Sequence, residues 1–183
     1  VKATEPLLFE RVPVSPPIYR VPMREQGPSR VAVADTTRVT SRFESPHSDT
    51  PRTQLFSNDR YALMVTSAGG GYSRWTDHAN QVEYDLTRYR ADTTADPWGV
   101  FLYIRDPDTG RVWSNTYQPT RVEPREYSAS FMMDRAEFRR TDHGIETETE
   151  IIVSPEDDVE IRRVTLINRS GRPRKLELTS YVE

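Results

Sequence analysis

Residues 69–75 read Gly-Gly-Gly-Tyr-Ser-Arg-Trp, and they concentrate more recognition chemistry than any other stretch of the chain. Gly69, Gly70 and Gly71 let the backbone take positive φ or approach another segment closely. Tyr72 and Trp75 add flat apolar faces, Ser73 a hydroxyl and Arg74 a guanidinium. A sugar is apolar on its C–H faces and polar at its rim, so this mixture suits one. A tight loop at a sheet edge explains the glycines equally well. A phosphate cradle does not, because that loop ends Gly-Lys-Ser/Thr and opens a helix. Here Tyr-Ser-Arg-Trp follows, between two strand-like runs, Arg60–Thr66 and a run ending Leu86-Thr87-Arg88-Tyr89-Arg90. On that second run Arg88 and Arg90 share a face, with Tyr89 opposite. They read as surface ion-pair partners or as contacts to a companion domain or subunit.

Other chemistry is thin. The histidines are His47, His78 and His143, and there is no cysteine. None has a second ligand at zinc-like spacing, so no metal or other cofactor is expected. Glu146, Glu148 and Glu150 alternate along one strand, so they share a face. Three like charges on one face are expected toward solvent, where water screens them. Asp157-Asp158 falls in a turn after Pro155. Neither set has the enclosed setting that raises a carboxyl pKa for acid catalysis. Ser73 lacks the Gly-x-Ser-x-Gly elbow of a hydrolase nucleophile. No catalytic residue is assigned. Trp98 and Trp113 lie in or beside apolar strand patterns and are expected in the core. Tyr72 and Trp75 remain the aromatic contact candidates.

The elements that must carry these residues are strands. Leu63 and Val65 alternate with Met64 and Thr66; Tyr127, Ala129 and Phe131 alternate with Glu126, Ser128 and Ser130; Ala136 and Phe138 alternate with charged residues. Period two marks a sheet with one wet face. In Trp98–Ile104 both parities are apolar, which predicts burial on both faces. Asp106–Gly110, Asp142-His143-Gly144 and Asn168–Gly171 read as turns between strands. No long segment shows helical periodicity. The expected fold is all-β, an antiparallel two-sheet β-sandwich. Prolines at 6, 13, 16, 17, 22 and 28 forbid continuous helix or central strand, so residues 1–30 are expected to form an extended arm and 31–183 the sandwich.

The 183 residues suffice for one sizeable core. Twenty-five basic and 28 acidic residues are well mixed, for a net charge of −3. That argues against a nucleic-acid footprint and against a polybasic membrane patch. Absence of cysteine fits a cytoplasmic setting. The start at Val1 and the strand-like run Leu176–Glu183, with no turn after it, lead us to expect a piece of a larger protein, with the sandwich continuing beyond Glu183.

Together with Ser57-Asn58-Asp59-Arg60-Tyr61, Leu86–Arg90, Asp92-Thr93-Thr94, Trp98-Gly99, Val112-Trp113-Ser114, Glu148–Pro155, Val164–Asn168 and Thr179–Glu183, the glycine stretch resembles the N-terminal β-sandwich (supersandwich) domain of bacterial glycoside hydrolase family 94 phosphorylases, including the phosphorylase-like region of cyclic β-1,2-glucan synthases. The likeness runs from about Leu7 to the end and is weaker over residues 22–50. It implies a non-catalytic domain that packs on an (α/α)6 barrel, where phosphate cleaves a β-glucoside with inversion. It also implies a homo-oligomer contact or one wall of a glucan cleft, and a place on the cytoplasmic side of the inner membrane through other regions of the protein. The chain alone is then not an enzyme, although it is a fragment of one. An independent carbohydrate-binding module and a purely structural or oligomerisation sandwich are the competing readings.

Overall fold

In the computed structural model, residues 41–50, 52–87 and 98–182 are described. The expected arm at 1–30, Arg88, Arg90 and Asp92–Thr94 lie outside them. No described residue is helical. Among the described residues twelve strands run in chain order: β1 (Ser41–Phe43), β2 (Thr53–Ser57), β3 (Tyr61–Thr66), β4 (Gly71–Asp77), β5 (Val82–Asp85), β6 (Val100–Asp106), β7 (Arg111–Ser114), β8 (Glu126–Phe131), β9 (Arg135–Asp142), β10 (Ile145–Val153), β11 (Glu160–Asn168) and β12 (Glu177–Val182).

All described pairings are antiparallel. One sheet has the order β1-β8-β9-β10-β11; a second is β2-β3-β4-β5; a third is β12-β6-β7. The five-stranded sheet forms one layer of the sandwich. Its Tyr127, Ala129, Phe131, Ala136, Phe138 and Ile151 pack against Phe56, Tyr61, Leu63 and Val65 of the four-stranded sheet. Farther along, Ile145 of β10 packs with Ile104 and Trp113 of the three-stranded sheet. The two smaller sheets touch where the Gly71 N–H donates to the Trp98 carbonyl at 3.0 Å. A side chain on Gly99 would lie 3.0 Å from the Gly71 carbonyl oxygen, so this junction requires close backbone approach.

Period two accounts for most of these elements. Strands β8 and β9 bury the residues that alternation selects. In β6, Phe101 and Ile104 are buried on opposite faces, whereas Leu102 and Tyr103 are half-buried. Trp113 is fully buried as expected, but Trp98 is only half-buried. Asp106 organises the β6–β7 turn by accepting from Asp108 N at 3.0 Å and Thr109 Oγ1 at 2.9 Å. His143 and Gly144, both at positive φ, make the two-residue turn between β9 and β10.

The turn at Asn168–Gly171 departs from expectation. It does not fold β12 back on β11; β12 pairs with β6 in the other layer. Asn168 Nδ2 donates to Arg172 O at 2.7 Å and redirects the chain. Arg174 then donates through Nη2 to buried Asp106 at 2.6 Å, and Leu176 packs on the Ile104–Trp113–Ile145 cluster. Those buried contacts outweigh the local hairpin signal.

The Glu146, Glu148, Glu150 face is also not simply solvated. Glu146 and Glu150 are only 16% and 19% exposed. Arginines from both neighbouring strands neutralise the row: Arg139 pairs with Glu146 and Glu148, Arg135 and Arg163 with Glu150, and Arg169, just past β11, with Glu146. Cross-strand pairing of opposite charges replaces water screening here.

Candidate functional site

The glycine stretch is a turn that launches a strand, not a loop that runs to Trp75. Thr66 N donates to Gly70 O at 2.8 Å, and Gly69 N to Thr66 O at 2.9 Å. Gly70 N also donates to Thr66 Oγ1 at 3.1 Å. Gly69 has φ +92°, and a Cβ there would lie 2.1 Å from Thr116 Oγ1. At Gly71 a Cβ would lie 2.0 Å from the Met64 carbonyl oxygen of the paired strand. Both glycines are therefore required by packing within this domain.

Because Tyr72, Ser73, Arg74 and Trp75 all belong to β4, alternation divides them. Tyr72 and Arg74 share one face, and Ser73 and Trp75 the other. On the first face the Arg74 guanidinium lies 4.9 Å from the Tyr72 ring centroid, within cation–π range. It pairs with Asp85 at 2.7 Å and with Glu83 at 3.5 Å on β5.

On the other face Ser73 is buried and tied down. Its N–H donates to Thr87 Oγ1 at 2.9 Å and its hydroxyl to Glu160 Oε2 at 2.6 Å. Tyr61 donates to the same carboxylate oxygen at 3.2 Å. Burial raises the Tyr61 hydroxyl pKa above the usual phenol range; the Ser73 hydrogen bond opposes this, and the Glu160 charge adds to it. Arg162 donates to Glu160 Oε1 at 2.8 Å and to Val100 O at 2.6 Å. Ser73 thus faces an acid already held by an arginine. The arrangement joins sheets and does not activate a nucleophile.

Trp75 stands directly between Tyr61 of β3 and Tyr84 of β5 in the strand register. Its ring stacks on Tyr84 with centroids 5.7 Å apart and planes 29° apart. Its Nε1–H donates to Asp158 Oδ2 at 2.7 Å. Arg60 grips the same carboxylate, Nε to Oδ1 at 3.1 Å and Nη2 to Oδ2 at 2.8 Å. The Asp157–Asp158 turn is anchored by Asn58, whose Nδ2 donates to Ser154 O at 2.9 Å and Asp157 O at 2.8 Å. Three aromatic rings thus cross the sheet in one row, from buried Tyr61 to half-buried Trp75 to exposed Tyr84, with an acid–guanidinium pair at the border.

Tyr84 was legible only as an alternating position in Val82-Glu83-Tyr84-Asp85. Nothing local in the sequence connects Asp158 or Glu160 to β4. Their partnership depends on β11 and the turn before it reaching the four-stranded sheet.

The histidines are dispersed. His47 lies 3.0 Å from Glu123, His78 lies 3.5 Å from Asp59, and His143 lies edge-on to Trp113. Among the described residues no group of three or more His, Cys, Asp or Glu is placed to hold a metal ion. A groove of about 300 Å³ opens on the charged face of the five-stranded sheet, beside Arg42, Glu137, Arg139, Glu148, Glu150 and Arg163.

The family described as "Glycosyl hydrolase 94, supersandwich domain" matches residues 37–183. The chain is 36% identical over 184 residues to the cyclic beta-(1,2)-glucan synthase NdvB of Rhizobium meliloti (strain 1021), across 100% of this chain and 6% of that protein. It is 34% identical over 146 residues to a solabiose phosphorylase of Paenibacillus borealis, across 78% of this chain and 19% of the relative. It is 27% identical over 141 residues to an N,N'-diacetylchitobiose phosphorylase of Vibrio furnissii, across 75% and 17%. The chain spans less than a fifth of the length of each of these relatives.

Proposed function

Because the chain belongs to the glycosyl hydrolase 94 supersandwich family, we propose that it is the non-catalytic, carbohydrate-associated β-sandwich of a larger glucan synthase or glycoside phosphorylase. In this reading it packs on an (α/α)6 barrel of the same polypeptide that carries the chemistry, and the two together act on a β-glucan. The observation that carries the reading is the family match across residues 37–183, in relatives whose remaining length leaves ample room for a separate catalytic part. The described side chains favour it too. Ser73, Glu160 and Asp158 hold strands together, and the glycines serve internal packing. Tyr72 and Arg74, on the opposite face of β4, are contact candidates for the barrel, as are Arg88 and Arg90 from the sequence.

The Trp75–Tyr84 stack favours a second reading, in which the sandwich itself holds the glucan. The two readings are compatible in one protein.

The test is to supply the rest of the polypeptide separately and measure co-elution with this chain and phosphorolysis of β-linked glucosides. We expect no turnover by the chain alone, and complex formation with restored activity on mixing. Turnover by the chain alone that disappears on changing one of its residues would overturn the reading. So would a catalytic remainder that neither binds this chain nor changes its rate when the chain is added.

A further inference from the structure

The geometry points to a specific surface subsite. We propose that the Trp75–Tyr84 stack, bordered by Asp158 and Arg60, holds one glucosyl unit of a β-glucan chain. This inference rests on the carbohydrate-associated reading and adds residues and a stoichiometry to it.

Three observations carry it. First, the two rings form an offset stack whose outer member, Tyr84, is 46% exposed, so aromatic surface stays open beside a ring already fixed in place. An aromatic face with few rotatable bonds offers large apolar area at small entropic cost. The C–H face of a pyranose is its natural complement.

Second, the polar groups at the border are already oriented. Asp158 is 22% exposed on its side chain and is held by both Trp75 and Arg60. Arg60 is 53% exposed and keeps further guanidinium donors beyond the two bonds that it gives to Asp158. A carboxylate retains acceptor capacity after accepting such bonds, so sugar hydroxyls can donate to the acid and accept from the guanidinium. Preorganised partners lower the ordering cost of binding.

Third, local charge selects among flat ligands. Asp158, which borders the stack, is already paired with Arg60, while Asp59, next to Arg60 in sequence, faces His78, and Asp77, two residues beyond Trp75, accepts from Asn80. A neutral, hydroxyl-rich chain leaves the Asp158–Arg60 pair intact, whereas a charged ligand would compete for one of its members. The ring row runs out of the core and opens to solvent at its Tyr84 end, on the edge strand β5.

The experiment titrates the 183-residue chain with a linear β-1,2-linked gluco-oligosaccharide, following heat and tryptophan emission, with a dextran of similar length as control. We expect saturable binding of the β-glucan. Tyr84→Ala should weaken it about tenfold, the equivalent of one ring stack, with circular dichroism unchanged and the melting temperature lowered by no more than about 6 °C. Tyr84→Phe should retain it, because the ring remains. Tyr72→Ala, on the other face of β4, should leave it unaltered. If the chain binds the glucan and Tyr84→Ala binds equally well, the subsite is overturned while the carbohydrate-associated reading stands. If the chain binds no glucan, the subsite falls together with the idea that the sandwich itself holds sugar, and packing on the barrel is judged by the separate co-elution. If Tyr84→Ala leaves glucan binding intact and instead abolishes co-elution with the catalytic part, this face is a domain interface and the subsite is wrong.

Discussion

Arg140 and Asp142 offer the sharpest test of how the site is held in place. Arg140 is fully buried and Asp142 is 3% exposed. The guanidinium makes a fork to the carboxylate, Nε to Oδ2 at 2.6 Å and Nη2 to Oδ1 at 2.7 Å. It also donates to the carbonyls of Thr116 and Val122, the latter at 3.1 Å. The guanidinium thus ties both ends of residues 116–122 to β9. Thr116 in turn abuts Gly69, and Gln118 N donates to Ala68 O at 2.9 Å, so the turn that launches β4 leans on the same segment. Arg140→Met removes the charge and keeps most of the volume, and it strands a buried carboxylate. Breaking a buried pair in this way costs about 3–5 kcal/mol. Against a typical stability of about 5–15 kcal/mol this is a large fraction. At about 2–4 °C per kcal/mol for a domain of this size, the melting temperature should fall by about 6–20 °C. The double variant Arg140→Met/Asp142→Leu should recover much of the loss, because no charge is left unpaired. Urea unfolding followed by tryptophan emission measures all the corners of this cycle. A loss below about 1 kcal/mol for Arg140→Met, or a double variant less stable than both singles, would refute the reasoning.

Two further outcomes follow from the same geometry. Burial opposes ionisation of Asp106, but Thr109, Arg174 and the Asp108 N–H outweigh it and hold the carboxyl below the usual carboxylate range. A depressed folded pKa means that the stabilisation is complete above the unfolded value and is lost as pH falls through the folded one. Acid titration of stability should therefore show a limb below the ordinary carboxylate range that Asp106→Asn flattens; identical limbs in the two proteins would count against the contact. Gly71→Ala should destabilise by several kcal/mol, on the order of overpacking plus backbone displacement, because the added Cβ meets a carbonyl of the paired strand at 2.0 Å. Chemical denaturation checks this, and a variant of parental stability would show that the strands can part at no cost.

How much of the molecule is legible before folding depends on the range of the cause. β8 and β9 were readable because period two is local: Tyr127, Ala129 and Phe131 announce their face without any knowledge of what covers it. The β6–β7 and β9–β10 turns were readable because Asp106–Gly110 and His143-Gly144 carry their own turn chemistry. The family resemblance was legible in the order of several modest motifs, and the family match over residues 37–183 agrees with it. The turn at Asn168–Gly171 was misread because its hairpin signal competes with Arg174 and Leu176, whose partners lie far off in sequence.

The candidate site shows the same division. Sequence order placed Tyr72, Ser73, Arg74 and Trp75 in one window that read as a loop between strands; the structure makes it strand β4, whose alternation separates them into two faces. Only the tertiary structure decided which face is which. It put Asp158 on Trp75 and Glu160 on Ser73, across 83 and 87 residues of chain, and it drew Tyr84 onto the indole from the neighbouring strand. Backbone periodicity is written into each residue's immediate neighbours. A hydrogen bond between distant segments exists only after sheets have packed and loops have closed, and no local pattern encodes its partner.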